Sequence, residues 1–170
     1  METKKLYSYS LFGLPLIAFN MSVMALEDLK VYPGALCQSE TNTQPIVRNT
    51  RGVMFNDGTD PQTWICPIVR DRPDSIEDAT IVVRDNNGDP NADISCTLFS
   101  RTPTGQLVAS ETQGSTGTGV VALEYGVGDP NIDSMPGDGH YYFRCTIPGT
   151  SQGLRSGVVS YRVNENANED

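Results

Sequence analysis

Gly, Pro, Asn and Asp interrupt the chain about every ten residues after Ala25, a spacing that leaves no room for a helix of ordinary length. Between these breaks the apolar side chains recur with period two, as they do in a strand with one buried and one wet face. Ala79, Ile81 and Val83 fall on one face and Thr80, Val82 and Arg84 on the other. Ile94, Cys96 and Leu98 line up in the same way. From His140 to Ile147 the alternation is complete. Tyr141, Phe143, Cys145 and Ile147 read as core, while His140, Tyr142, Arg144 and Thr146 face water. Val159, Tyr161 and Val163 repeat the pattern, and weaker strand signals lie at 52–55, 64–69, 106–112 and 119–125. The chain is therefore expected to be all-β, an antiparallel β-sandwich of about seven or eight strands rather than a closed barrel. One helical turn over 74–78, capped by Asp74, is the helical candidate, and five residues are too few to form a stable helix alone.

The chain has four cysteines, Cys37, Cys66, Cys96 and Cys145. Cys96 and Cys145 both sit on apolar strand faces, so both are expected to point into the core from facing sheets and to bond there. That leaves Cys37 with Cys66. Loop closure of these sizes stabilises by about 3.6 kcal/mol for Cys37–Cys66 and about 4.1 kcal/mol for Cys96–Cys145 on a chain-entropy estimate. A four-cysteine zinc site is the competing reading, but no two cysteines form the close C-x-x-C pair that such sites use.

Disulfides persist in oxidising compartments, and the N-terminus agrees. Lys4 and Lys5 precede an apolar stretch from Leu11 to Phe19 and the small-residue site Val23-Met24-Ala25, the pattern of an export signal cleaved after Ala25. Pro15 and Asn20 break that stretch well short of the roughly 20 residues of a membrane span. The organisation expected is a signal peptide over 1–25, a single β-sandwich domain over 26–163 and a flexible tail over 164–170, with the protein secreted or periplasmic. Without Lys4, Lys5 and Glu2 the chain keeps ten basic and twenty acidic residues. Such a surface repels nucleic acid and anionic lipid, so neither is an expected partner. Lys30 is the only lysine beyond the signal.

Three stretches carry a resemblance: Trp64-Ile65-Cys66-Pro67-Ile68-Val69-Arg70-Asp71, Tyr141-Tyr142-Phe143-Arg144-Cys145-Thr146-Ile147-Pro148 and Ser160-Tyr161-Arg162-Val163-Asn164-Glu165. They look like those of a group of uncharacterised secreted bacterial proteins. The resemblance implies a disulfide-bonded β-sandwich exported by a bacterium and carries no chemistry with it. More loosely, the chain is similar to immunoglobulin-like domains, although Phe143 stands where those domains place a tyrosine two residues before the core cysteine.

No reaction-specific constellation is assigned in this sequence. His140, the one histidine, alternates onto the solvent face, and the cysteines are assigned to disulfides. No catalytic residue and no cofactor is assigned. The leading expectation is a binding or structural module with a protein or carbohydrate ligand. The alternative is a small secreted hydrolase, glycosidase-like, using paired carboxylates drawn from Asp71, Glu77, Asp78 and Glu124. Two binding features stand out. Asp85, Asn87, Asp89, Asn91 and Asp93 place oxygen ligands at every second residue, as a weak calcium loop would, yet Pro90 and Cys96 occupy the places of its turn glycine and bidentate glutamate. Turn chemistry, echoed at Gly128 to Asp133, is the competing account. Trp64, Tyr125 and Tyr142 are candidate stacking platforms for a sugar, with Trp64 also readable as a core residue packed over a disulfide.

Overall fold

The computed structural model describes residues 28–41, 46–48, 51–71, 76–89, 92–126 and 139–165. The expected signal, the Gly128 to Asp133 echo and the end of the tail lie outside them, as do Asp74 and Asn91. All strand pairs are antiparallel. The strands are β1 (Asp28–Pro33), β2 (Gln38–Ser39), β3 (Ile46–Arg48), β4 (Met54–Asn56), β5 (Gln62–Pro67), β6 (Ile76–Asp85), β7 (Ser95–Arg101), β8 (Leu107–Gly114), β9 (Gly119–Tyr125), β10 (His140–Ile147) and β11 (Gly157–Glu165). Sheet A runs β3-β4-β11-β6-β9, with β1 also on β11, and sheet B runs β2-β5-β10-β7-β8. The two sheets close over one core as a β-sandwich. Among the described residues no helix is long and apolar enough to cross a membrane.

The eight strands expected from alternation are all present, and β1, β2 and β3 are additional. β2 and β3 are two and three residues long, too short to show a period. β1 alternates with its polarity reversed: Leu29 and Val31 are 46% and 65% exposed, while Asp28, Lys30 and Tyr32 turn inward. The helical turn expected over 74–78 is corrected, since Ile76 to Asp78 open β6. Of the expected tail at 164–170, Asn164 and Glu165 are instead the end of β11 and are both buried, and 166–170 lie outside the described residues. Val159 does not point inward with Tyr161 as expected, because the register on β6 shifts between Val158 and Ser160. A bulge there adds one residue, which hands the inward position to Val158.

The inward rows carry the core residues as read: Ala79, Ile81 and Val83 from β6, Ile94, Cys96 and Leu98, and Tyr141, Phe143, Cys145 and Ile147 from β10. Rings link the sheets. Phe143 of sheet B meets Tyr125 at 5.3 Å and Tyr161 at 5.9 Å, both edge-on and both from sheet A. Each of those tyrosines donates its hydroxyl to a carbonyl of sheet B, Tyr125 to Cys96 and Tyr161 to Pro67, both at 2.8 Å, so the buried phenols are satisfied.

Both disulfides join the expected partners, Cys37 to Cys66 and Cys96 to Cys145. Their placement corrects the expectation in one respect. Cys96 and Cys145 are direct partners on neighbouring strands β7 and β10 of sheet B, with Cα atoms 4.0 Å apart, and do not span the two sheets. Strand parity gives the side of a residue, and register alone brings two inward cysteines together. Cys37 follows a 3₁₀ turn, Gly34–Leu36, where the chain crosses from sheet A to sheet B, and its bond to β5 pins that crossing. The turn lies so close to β11 that a Cβ on Gly34 would stand 2.1 Å from the carbonyl oxygen of Val158.

Candidate functional site

Of the three candidate platforms, Tyr125 is corrected and Trp64 takes its core reading beside a disulfide cysteine. Trp64 and Tyr125 are buried, at 0% and 1% exposure. Trp64 sits inward beside Cys145 and donates its indole N–H to Gln62 at 3.1 Å, while the Gln62 amide donates to Asn56 at 2.8 Å. This chain of bonds satisfies the indole inside the core.

Tyr142 faces outward from the middle of sheet B and is half-buried. Its register partner Phe99 on β7 stacks against it at 5.2 Å, and His140, two residues along β10, stacks at 6.2 Å. The guanidinium of Arg101 lies over both rings, 5.3 Å from Phe99 and 5.8 Å from Tyr142. Its Nε donates to the Tyr142 hydroxyl at 2.7 Å and its Nη1 to the Gly105 carbonyl at 2.7 Å. Period two along β7 and β10 puts these four side chains on one face, and antiparallel register makes them neighbours. On the other side of Tyr142 the row continues to Pro67 of β5, at the margin of a cleft of about 300 Å³ lined by Gln38, Ser39, Glu40, Ile65 and Pro67. Thr97 and Thr112 share a hydroxyl hydrogen bond of 2.8 Å on the same face. The surface is thus an aromatic strip set among hydroxyls.

The calcium candidates separate. Asp85 ends β6 fully buried, and both of its oxygens accept hydrogen bonds. Oδ1 accepts from the Asn87 N–H at 3.0 Å and the Ser156 hydroxyl at 3.2 Å, and Oδ2 from the Ile94 N–H at 3.1 Å and the Ser115 hydroxyl at 2.5 Å. Ser156 precedes a strand of sheet A, and Ile94 and Ser115 flank strands of sheet B, so Asp85 fastens one sheet to the other. Asn87 in turn accepts the Asp89 N–H at 3.1 Å, an Asx turn. Asp93 is half-buried just before Ile94. A cleft of about 370 Å³ beside this loop is lined by residues such as Asn86, Asp89, Thr118 and Leu154, with no aromatic ring among them.

A cluster that sequence reasoning missed lies at the start of β1. Lys30 Nζ bonds Asp28 at 3.2 Å, Asp71 at 2.5 Å and Glu165 at 2.6 Å, with Arg70 Nε 3.7 Å from Glu165. The three carboxylates are close enough to hold a cation, and the Lys30 ammonium already stands among them. The lone lysine of the body of the chain was the available signal. Its hydrogen bond holds the Asp71 carboxyl below the ordinary value, the reverse of what a general acid needs. Of the other carboxylates considered for catalysis, Asp78 and Glu124 line a shallow cleft of about 180 Å³ with Arg162, and Glu77 is exposed and accepts from the Asn164 amide.

No protein-family model matches the chain, and no curated protein matches it. Solved structures do. The chain is similar to the low-affinity xylan binding module CBM86 from Roseburia intestinalis, with 12% identity over 82% of this chain and 96% of that one and a TM-score of 0.50. The likeness is one of fold. The CBM36-1 domain of a multidomain xylanase from the hindgut metagenome of Trinervitermes trinervoides matches with 10% identity over 84% of this chain and all of that one, TM-score 0.43. A family two carbohydrate esterase from Cellvibrio japonicus matches with 6% identity over 82% of this chain and 34% of that one, TM-score 0.44.

Proposed function

We propose that the protein is a secreted, non-catalytic glycan-binding module whose ligand lies across the outward face of sheet B, centred on Tyr142. The observation that carries this reading is the stacked group of His140, Tyr142, Phe99 and Arg101 on the outward face of sheet B, with His140 exposed and the Tyr142 and Phe99 rings half-buried. Sugar rings present axial C–H groups to aromatic faces and hydroxyls to hydrogen-bonding side chains, and this face offers both in alternate rows. The fold agrees, being shared with a protein described as a xylan binding module. Export is supported by two disulfides and by the N-terminal signal pattern.

The test is binding of the full chain to a panel of soluble plant and bacterial polysaccharides by affinity electrophoresis, with titration calorimetry on any that retard it. At least one glycan should bind, and Tyr142→Ala and Phe99→Ala should each weaken it about tenfold or more while leaving the melting temperature near that of the parent. Binding untouched by both substitutions would move the site elsewhere, and failure of every glycan would remove the reading.

A further inference from the structure

The outward face of sheet B differs from the rest of the molecule in charge. Acidic residues outnumber basic ones 21 to 12 in the chain, yet none of the outward register positions of β5, β7, β8 and β10 holds an acid. Two arginines stand there, Arg101 and Arg144. Arg144 is neutralised by Glu40 beside β2, at 3.0 Å. Among the described residues no ion pair joins Arg101 to a carboxylate, and its two hydrogen bonds engage Nε and Nη1. The guanidinium is held over Tyr142 and Phe99, and among the described residues Nη2 makes no hydrogen bond.

We infer that the glycan this face takes is a polyuronate, with a sugar carboxylate seated on Arg101. The inference rests on the glycan-binding reading above and adds the substrate class. A ring stacked on Tyr142 brings its substituents to the level of Arg101, the guanidinium is fixed in advance by its bonds to Tyr142 and Gly105, and a carboxylate pairs with such a planar donor fork more strongly than a hydroxyl does. An acidic protein whose outward positions on β5, β7, β8 and β10 hold no carboxylate also lessens its repulsion of an acidic polymer there, while its remaining charge repels anions elsewhere.

The experiment measures binding of the full chain to polygalacturonate and polyglucuronate, to each polymer after reduction of its carboxyl groups to alcohols, and to inorganic polyphosphate. One uronate should bind about tenfold or more tightly than its reduced form, and the preference should shrink as salt rises. Arg101→Gln should abolish the preference by weakening the uronate more than its reduced form, and Arg101→Lys should restore part of it. Equal binding of a uronate and its reduced form, both weakened by Tyr142→Ala, would overturn the role of Arg101 and leave the glycan face standing. Polyphosphate binding as tightly as polyuronate would overturn it by showing a response to charge alone. No binding to any of the polymers would also overturn it, and the uncharged members of the polysaccharide panel above then decide the broader reading separately.

Discussion

The ammonium of Lys30 lies 2.6 Å from the carboxylate of Glu165, a side chain with no exposure to solvent. The pair joins β1 to the last residue of β11, and Asp71 joins the chain beyond β5 to the same ammonium. Removing one member of a buried pair leaves the other charge desolvated. Lys30→Met should therefore cost about 2 to 4 kcal/mol, the lower part of that range reflecting Arg70 close by, and urea unfolding of the variant measures it. The double variant Lys30→Met with Glu165→Leu should recover most of the loss. A double variant as unstable as the single one would show that packing of β1, and not charge, is what Lys30 supplies.

Alkaline pH should weaken the fold from about pH 10 upward. Burial raises the phenols of Tyr125 and Tyr161 above the ordinary 10.0, helped by the charge of Glu111 at the first and by Tyr32 at the second. Partial burial works against the Lys30 charge, but its bonds to Asp71, Glu165 and Asp28 outweigh this and carry it above the ordinary 10.5. Groups raised on folding hold their protons more tightly in the folded chain, so their contribution is complete below the unfolded values and is lost as pH climbs toward the folded ones. Urea midpoints should hold between pH 8 and about 10 and fall beyond, and Tyr161→Phe should make the fall shallower. At the acid end the sign reverses. Asp71, held below its ordinary 3.8 by Lys30, contributes above that value and ceases to do so as pH drops through its folded-state value.

Calcium should leave the protein unchanged. Among the described candidate ligands the fully buried one, Asp85, spends both oxygens on four donors of its own chain. Melting curves in millimolar calcium and in chelator should superimpose, and Asp89→Ala should match the parent apart from a small turn penalty. Asp85→Ala should cost about 2 to 4 kcal/mol in either buffer, because it strips acceptors from groups of both sheets. A rise in melting temperature with calcium that Asp89→Ala abolishes would reinstate the loop as a metal site.

Cys145→Ala should cost about 2 to 5 kcal/mol, as losing a native disulfide usually does in a small exported domain. Non-reducing peptide mapping of the parent should find Cys37 with Cys66 and Cys96 with Cys145. Equal melting temperatures of parent and variant would show that the strand ladder holds β7 to β10 without the bond.

Much of this was legible in residue order, and the division has a physical basis. Period-two alternation names the inward side of each long strand, so the core of β6, β7 and β10 and the outward placement of Tyr142 follow from counting. Reading Val159 as inward failed because one bulge residue reverses parity and leaves no mark in composition. Reading Asn164 and Glu165 as tail failed because a polar end looks solvated until a partner such as Lys30, 135 residues away, is seen to bury it. Parity placed Cys96 and Cys145 inside, and only register set them side by side on one sheet. The same limit governs the site. The chain by itself put Tyr142 and His140 on a wet face. That Phe99 stacks beside them, that Arg101 lies across both rings, and that no acid stands at the outward positions of β5, β7, β8 and β10 depend on which strands become neighbours, a choice made by the packing of the whole sandwich rather than by any local run of residues.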